Sequence, residues 1–306
     1  MIVQGQMPTN QLLRGQLRFD EPMAKHVSWR AGGSLARAYF PADLDDLVNF
    51  LMQNYVLGDL YFFGLGSNLL IRDRGLQATG VFTHWALRKI SLLDKGERTI
   101  DIYAQAGIAS PKVARFAALQ GAQGAEFLAG IPGTVGGALF MNAGCYGGQT
   151  WDIVTQVQTI DRQGVIRQRR PEEFTIGYRS VQVPAGESFV SATFRLPRGD
   201  EQESRLKIKT LLAQRISTQP LHKPNAGSVF RNPPGDFAAR LIESCGLKGA
   251  IEGGAQISDK HANFIINNGG ASATDIERLI DRARTEVEQQ AGITLHCEVC
   301  VLGELA

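Results

Sequence analysis

No apolar run in this chain of 306 residues approaches the ~20 needed to cross a bilayer. Its start, MIVQGQMPTNQLLRG, lacks the basic stretch and apolar core of a secretion signal. Both absences point to the cytoplasm, with no membrane partner. Charge of one sign is also lacking: 32 Lys and Arg stand against 30 Asp and Glu, a net of +2. With no basic tract, nucleic acid is not an expected partner, and Arg169-Arg170 reads as a local anion contact or a solvated face. Cysteine is scarce. Cys145, Cys245, Cys297 and Cys300 make no disulfide framework in a chain this size. Cys297 and Cys300 match C-x-x-C, but ITLHCEVCVLG reads as a strand. Alternation there sends Cys297 and Val299 to one face and Glu298 and Cys300 to the other, so neither a bridge nor a shared metal is expected. Repeats and low-complexity tracts are missing too.

Glycine is abundant, with 34 residues against an average usage of about 7%. GIPGTVGGALFMNAGCYGG, from Gly130 to Gly148, holds seven of them in nineteen residues with no charged side chain. A linker of that length would be polar. Glycine lets successive backbone N–H groups converge on phosphate oxygens, so the stretch is expected to wrap a dinucleotide; a buried Gly-rich turn between strands is the alternative.

The length allows two or three domains. In the first, about 1–85, Asp43 to Asn54 places Leu44, Leu47, Val48 and Leu51 on one helical stripe. LYFFGLGSNLLIRD reads as a strand, a Gly-Ser-Asn turn and a second strand. The second, about 86–198, is strand-rich through DIYAQAG, VTQVQTID, VIRQRR and SFVSATFRL. One helix interrupts it, starting at Ser110-Pro111 and ending at Gly121. The charged stretch Pro197 to Lys209 marks a boundary and opens a surface helix. In the third domain, about 199–306, helices are expected over Asp236–Cys245 and Thr274–Gln290. The latter has Thr274 and Glu277 in capping-box spacing, an apolar stripe of Ile276, Leu279, Ile280, Ala283 and Val287, and a stop at Gly292. HANFIINN and the closing segment with Glu298 supply strands. The pattern is α+β, not a doubly wound sheet.

Several constellations could carry chemistry. Gly64-Leu65-Gly66-Ser67-Asn68 follows a strand, where backbone amides can cup a phosphate, but no helix follows, unlike the dinucleotide fingerprint. Gly130 to Gly137, Asn142-Ala143-Gly144 and Arg30-Ala31-Gly32-Gly33 add Gly-rich elements. Asn225 to Pro233 combines a hydroxyl, amides and a guanidinium, preceded by Arg215, Gln219, His222 and Lys223. Ser228 has no G-x-S-x-G elbow and no assignable His–Asp relay, so a hydrolytic nucleophile is disfavoured. A serine that protonates a carbon needs only fixed geometry and a strongly basic acceptor. Arg179, in TIGYRSV at a strand end, could clamp a carboxylate as a fork or sit on the surface. Glu298, among apolar neighbours, is either buried with a partner or lines a site.

In this order, RAGG at Arg30, GLGSNLLIRD at Gly64, GAEFLAGIPGTVGGALFMNAGCYGG at Gly124, GYRS at Gly177, NAGSVFRNP at Asn225, HANFIIN at His261 and the segment with Glu298 resemble the UDP-N-acetylenolpyruvoylglucosamine reductase family. The chain looks like its shorter type, without a tyrosine-bearing insertion. The resemblance implies a two-part FAD-binding region of the vanillyl-alcohol-oxidase (PCMH) type, 1–85 and 86–198, and a C-terminal α+β substrate-binding domain, 199–306. It implies noncovalent FAD, with Arg30, Gly64, Gly66, Ser67, Asn68, Gly130, Ile131, Pro132, Gly133, Gly136, Gly137, Asn142 and Gly144 as cofactor-binding residues. NADPH would be the co-substrate, and the enolpyruvyl ether of UDP-N-acetylglucosamine would be reduced to UDP-N-acetylmuramate. Arg179, Ser228 and Glu298 take the catalytic positions. Tyr178, Arg215, Gln219, Asn225, Arg231, Asn232 and His261 fall to the substrate, with Gln219 standing where the longer type commonly has a lysine. A monomer is expected. Two rivals stay open: an FAD-dependent alcohol or sugar oxidase of the same superfamily, and a nucleotide-sugar binding module. Many such oxidases attach FAD through a histidine near the N-terminal Gly-rich turn; here His26 is upstream of Arg30–Gly33 and not adjacent.

Overall fold

The structure, a computed structural model, describes residues 12–53 and 55–304. Asn54 and most of the N-terminal segment analysed above therefore lie outside the described residues. The chain forms two compact units. One contains the described residues up to Arg18, Arg37–Leu65 and Ala78–Gln214; the other contains Phe19–Ala36, Gly66–Gln77 and the chain from Arg215 onward.

The N-terminal part supplies β1 (Gln16–Pro22), β2 (Ser34–Phe40), α1 (Leu44–Met52), β3 (Leu60–Phe63), β4 (Leu69–Ile71) and β5 (Leu76–Phe82). A four-stranded sheet has the order β1-β2-β5-β3, with β3 parallel to β5 from Leu60↔Thr79 to Phe63↔Phe82. Asp43 starts α1 by accepting from the Asp46 N–H at 2.9 Å. Leu47, Phe50 and Leu51 on its buried face pack with Tyr39, Val81 and Val190.

Next come β6 (Ile90–Lys95), β7 (Thr99–Gln105), α2 (Ser110–Leu119), α3 (Val135–Phe140), β8 (Gly144–Cys145), β9 (Gly148–Gln149), β10 (Val154–Asp161), β11 (Ile166–Arg169), β12 (Thr175–Gly177), β13 (Ser180–Gln182) and β14 (Glu187–Pro197). An antiparallel sheet of order β11-β10-β14-β7-β6 carries one apolar face. Ile102, Ala104, Val157 and Phe194 of that sheet bury against Val113 and Ala117 of α2 and Ala138 and Leu139 of α3.

The C-terminal part contributes α4 (Glu201–Thr218), α5 (Ala238–Ser244), β15 (Ile251–Glu252), β16 (Ala255–Ile257), β17 (Ile265–Asn267), α6 (Ala273–Ala291) and β18 (Cys300–Leu302). β15, β16 and β17 form a small antiparallel sheet, and β18 runs parallel to β4 from Cys300↔Leu69 to Leu302↔Ile71. The expected stripe of α6, Ile276 to Val287, is buried with Trp29, Leu70, Phe230 and Ile265. Gly292 ends the helix in the left-handed region, φ +66°.

Four expectations need correction. The cap of α6 is Ser272 with Asp275, two residues earlier than Thr274 with Glu277. Glu277 instead receives a forked contact from Arg72, and Asp73 accepts from Ala273 and Thr274, so tertiary partners supply part of the helix start. By contrast, α2 starts at Ser110-Pro111 as expected, with Ala109 in the cap position. A second helix, α3, lies inside the Gly-rich stretch, because Thr134 caps it and its apolar side is buried, which outweighs two helix-weakening glycines. Tyr178 and Arg179 form the loop of the β12–β13 hairpin and not a strand end. The closing strand begins only at Cys300, so Cys297 and Glu298 precede it and the alternation argued for the two cysteines does not apply; both thiols are free.

Candidate active site

Within the first unit, the turn after β3 meets the start of α3. A Cβ on Gly64 would stand 2.4 Å from the Thr134 hydroxyl, which itself accepts from the Gly137 N–H at 3.4 Å. Only glycine allows that approach. The expected phosphate cradle is partly spent on the fold: Val135 N–H donates to Ile108 and Gly136 N–H to Ala106, both at 2.8 Å. The N–H groups of Gly133 and Thr134 enter none of these bonds. Beside them Ser110, fully buried, donates its N–H to the Gly133 carbonyl at 3.0 Å and has no partner for its hydroxyl. Over Gly137 a Cβ would meet only the Thr134 hydroxyl, at 3.8 Å, so packing does not require glycine there.

Arg179 adopts φ +53°, unusual for a side chain of its size. It donates from Nη2 to the Gly144 carbonyl at 2.6 Å and lies 5.3 Å from the centroid of the Tyr178 ring. Asn142, buried and at φ +42°, donates to the Gln149 side chain and the Gly177 carbonyl while accepting from Trp151 N–H. Two side chains thus tie the Gly-rich loop to the Arg179 hairpin from opposite ends.

In the second unit the turn after Gly66 does comparable work. Gly66 has φ +58°, and a Cβ there would come 2.1 Å from the His26 carbonyl. Its own carbonyl accepts from Ser28 N–H at 3.0 Å, and the Ser28 hydroxyl is buried with no partner. Gly32 and Gly33 pack against the backbone of Ile71 and Asp73, so RAGG is fixed by close approach, with Arg30 exposed at φ +56°. Each unit therefore keeps a buried, unpaired serine hydroxyl beside a glycine turn. Unsatisfied buried hydroxyls are costly, and a polar ligand at these turns would remove that cost.

The Ser228 segment is brought to Glu298. Glu298 N–H donates to the Val229 carbonyl at 2.8 Å, Arg231 N–H to His296 at 2.9 Å, and Phe230 bridges Cys297. Asn68 holds the same residue by its other backbone group, donating from Nδ2 to the Glu298 carbonyl at 2.9 Å. Asn263, buried, grips Phe230 twice: it accepts from the N–H at 2.9 Å and donates to the carbonyl at 2.8 Å. Asn263 and the serines Ser28 and Ser110 escape sequence reasoning. Asn263 sits in HANFIIN, where the apolar run signals a strand and hides a polar clamp.

The expected substrate residues divide. Tyr178 is exposed. Arg215 and Gln219 bond each other at 2.9 Å. Asn225 holds its own loop through Pro220, Lys223 and Gly227, and Asn232 accepts from the first N–H of α5. Arg231 keeps a buried Nε without partner. His261 accepts from Asn263 N–H at 3.3 Å and packs on Phe264, and burial pushes its imidazole below the usual histidine range. No helix among the described residues is long and apolar enough to cross a membrane.

The comparisons fit this arrangement. A family model described as an FAD binding domain matches residues 36–169, and one described as the C-terminal domain of UDP-N-acetylenolpyruvoylglucosamine reductase matches 219–302. These define an α+β, FAD-binding oxidoreductase. UDP-N-acetylenolpyruvoylglucosamine reductase of Thiobacillus denitrificans is 53% identical over 307 residues, covering 97% of this chain and 95% of its own. That of Nitrosospira multiformis is 54% identical, covering 95% and 90%. The crystal structure of the enzyme from Thermus caldophilus superposes with a TM-score of 0.78 at 28% identity, covering 95% of this chain and all of the other. The chain belongs to the UDP-N-acetylenolpyruvoylglucosamine reductase family.

Proposed function

We propose that this chain reduces the enolpyruvyl ether of UDP-N-acetylglucosamine to UDP-N-acetylmuramate with NADPH, in the cytoplasm, as a monomer. Family membership supports the reaction. The observation that carries the residue assignment is the hydrogen bond from Glu298 N–H to Val229, which ties the Glu298 segment to the residue after Ser228.

Bound FAD supplies hydride relay between NADPH and an electron-poor carbon. Arg30, Gly64, Gly66, Ser67, Asn68, Gly130, Ile131, Pro132, Gly133, Gly136, Gly137, Asn142 and Gly144 are the residues proposed to hold it. The unpaired, buried Ser28 and Ser110 hydroxyls beside the glycine turns fit a polar ligand.

The side chains handle charge and proton. Hydride arriving at the terminal vinyl carbon leaves negative charge on its neighbour, shared with the substrate carboxylate as an enolate. Arg179 offers a guanidinium to that carboxylate, and Glu298, as an acid, stabilises the growing charge; such groups are often worth several kcal/mol each. Ser228 gives its hydroxyl proton to the carbon. A hydroxyl is a weak acid, so the transfer runs only toward a base as strong as an enolate, and water then returns the proton to the serine oxygen.

The test is anaerobic. With Ser228→Ala, bleaching of the flavin by NADPH stays near wild type, while recovery of colour on adding the enolpyruvyl substrate slows by about 10²- to 10⁴-fold. Equal loss in both half-reactions contradicts the proton-donor role. A wild-type flavin that recovers only with oxygen favours the oxidase reading.

A further inference from the structure

We infer that the side chain of Asn68 is a positioning group for Glu298 rather than a contact of the cofactor. Its side-chain Nδ2 is already committed, donating to the Glu298 carbonyl at 2.9 Å. Its own carbonyl accepts from Cys300 N–H at 3.1 Å. Asn68 therefore spans the chain on both sides of Val299, once with the side chain and once with the backbone.

The position explains the need. Regular pairing of β4 with β18 begins at Leu69↔Cys300, so Glu298 lies just beyond the ladder. Its N–H is held by the Val229 carbonyl at 2.8 Å. Asn68 supplies the partner of the Glu298 C=O, in the peptide whose Val299 N–H reaches the Val229 carbonyl at 3.4 Å. With Asn68, both polar groups of the Glu298 backbone are fixed, one to the Ser228 segment and one to the glycine turn. The carboxyl is thereby carried on a backbone that cannot turn, as a site requiring sub-ångström placement needs. The Asn68 side chain thus serves the acid, and the part of the turn proposed for the cofactor is its backbone.

The inference rests on the proposed role of Glu298, and the experiment separates the two. Asn68→Ala, Glu298→Gln and the double variant are prepared as FAD-loaded full chains. Flavin retained after gel filtration, bleaching by NADPH and reoxidation by the enolpyruvyl substrate are measured for each. Asn68→Ala is expected to keep its flavin and to bleach within about twofold of wild type. Its reoxidation slows by about tenfold or more. The double variant is then no slower than Glu298→Gln alone, because the two residues act through one group. Loss of flavin from Asn68→Ala, or a double variant slowed by the full product of the single effects, overturns the inference. Asn68→Asp, nearly the same size but with an oxygen facing the Glu298 carbonyl, gives the same pattern and keeps the test sound if the alanine variant folds poorly. A wild-type enzyme that the substrate does not reoxidise sinks the functional reading instead.

Discussion

Asn263→Ala isolates what holds the Ser228 segment in place. The side chain of Asn263 is 3% exposed and Phe230 is 2% exposed, so no water replaces what is removed. Truncation leaves the N–H and the C=O of Phe230 both unpaired. Each buried orphan costs about 1–3 kcal/mol, so the variant should lose about 2–6 kcal/mol. Proteins of this kind are stable by only about 5–15 kcal/mol, so the loss is a large share of the total. The bond from Val229 N–H to the backbone carbonyl of Asn263, 2.9 Å, survives and should keep the segment from detaching altogether. Hydrogen–deuterium exchange resolves the effect in space. Peptides over 226–232 should exchange faster, while the β7, β10 and β14 sheet of the first unit keeps its protection. Asn263→Asp retains the acceptor for Phe230 N–H but opposes a carboxylate to the Phe230 carbonyl, so it should be no better than alanine. A stability change below about 0.5 kcal/mol with unchanged exchange over 226–232 would refute the clamp.

Two further outcomes follow from the geometry. Gly66→Ala forces a Cβ to 2.1 Å from the His26 carbonyl at φ +58°, whereas Gly137→Ala meets only the Thr134 hydroxyl at 3.8 Å. The first should melt well below wild type and the second close to it, and thermal melts that rank them the other way would sink the close-approach argument. Arg169 forks onto Glu187 at 2.9 and 2.6 Å and holds its carboxyl below the usual range. A depressed carboxylate stabilises the fold above its unfolded value, about 4.3, and loses that contribution as pH falls through the lower folded value. Glu187→Gln should therefore cost about 1–3 kcal/mol at neutral pH, with the gap to wild type closing in acid; a gap constant from pH 7 to pH 3 would contradict it.

How much of this was readable in advance depends on where the physical cause lies. The stripe of α6 and its glycine stop were plain, because burial of a 3.6-residue period is written in the side chains themselves. The strand–turn–strand around Gly64–Asn68 was equally plain. The cap of α6 was misplaced because Thr274 and Glu277 satisfy the same spacing as Ser272 and Asp275, and only Asp73 and Arg72, some 200 residues away, decide between them. The helix α3 was hidden by its glycines, since propensity opposes it and a tertiary apolar face imposes it. Arg179 was legible as a fork for a carboxylate, but its left-handed hairpin position depends on Asn142 and Gly144, which no local pattern announces.

The polar residues of the motifs teach a sharper lesson. Asn68, Asn225 and Asn232 invite a ligand role, and in the structure each, like Asn263 and Asn267, spends its amide on backbone. Asn267, for example, donates to the Trp29 carbonyl and accepts from Gly269 and Ala271 N–H. The reason is the shortage of regular strands in the second unit: β15, β16, β17 and β18 are two or three residues each. Backbone groups outside a ladder still need partners. Asparagine is the side chain that offers a donor and an acceptor on one short stem, so it can replace both hydrogen bonds of a missing strand neighbour, as Asn263 does for Phe230. A substrate could be gripped by the same amides only if the fold released them. Among the described residues, the buried polar atoms that the fold leaves unpaired include the hydroxyls of Ser28 and Ser110 and the Arg231 Nε, and these can meet a ligand without giving up a bond. For a site built on irregular backbone, an amide in a motif is first a substitute for a sheet, and the search for ligand contacts should begin with the groups the fold has not used.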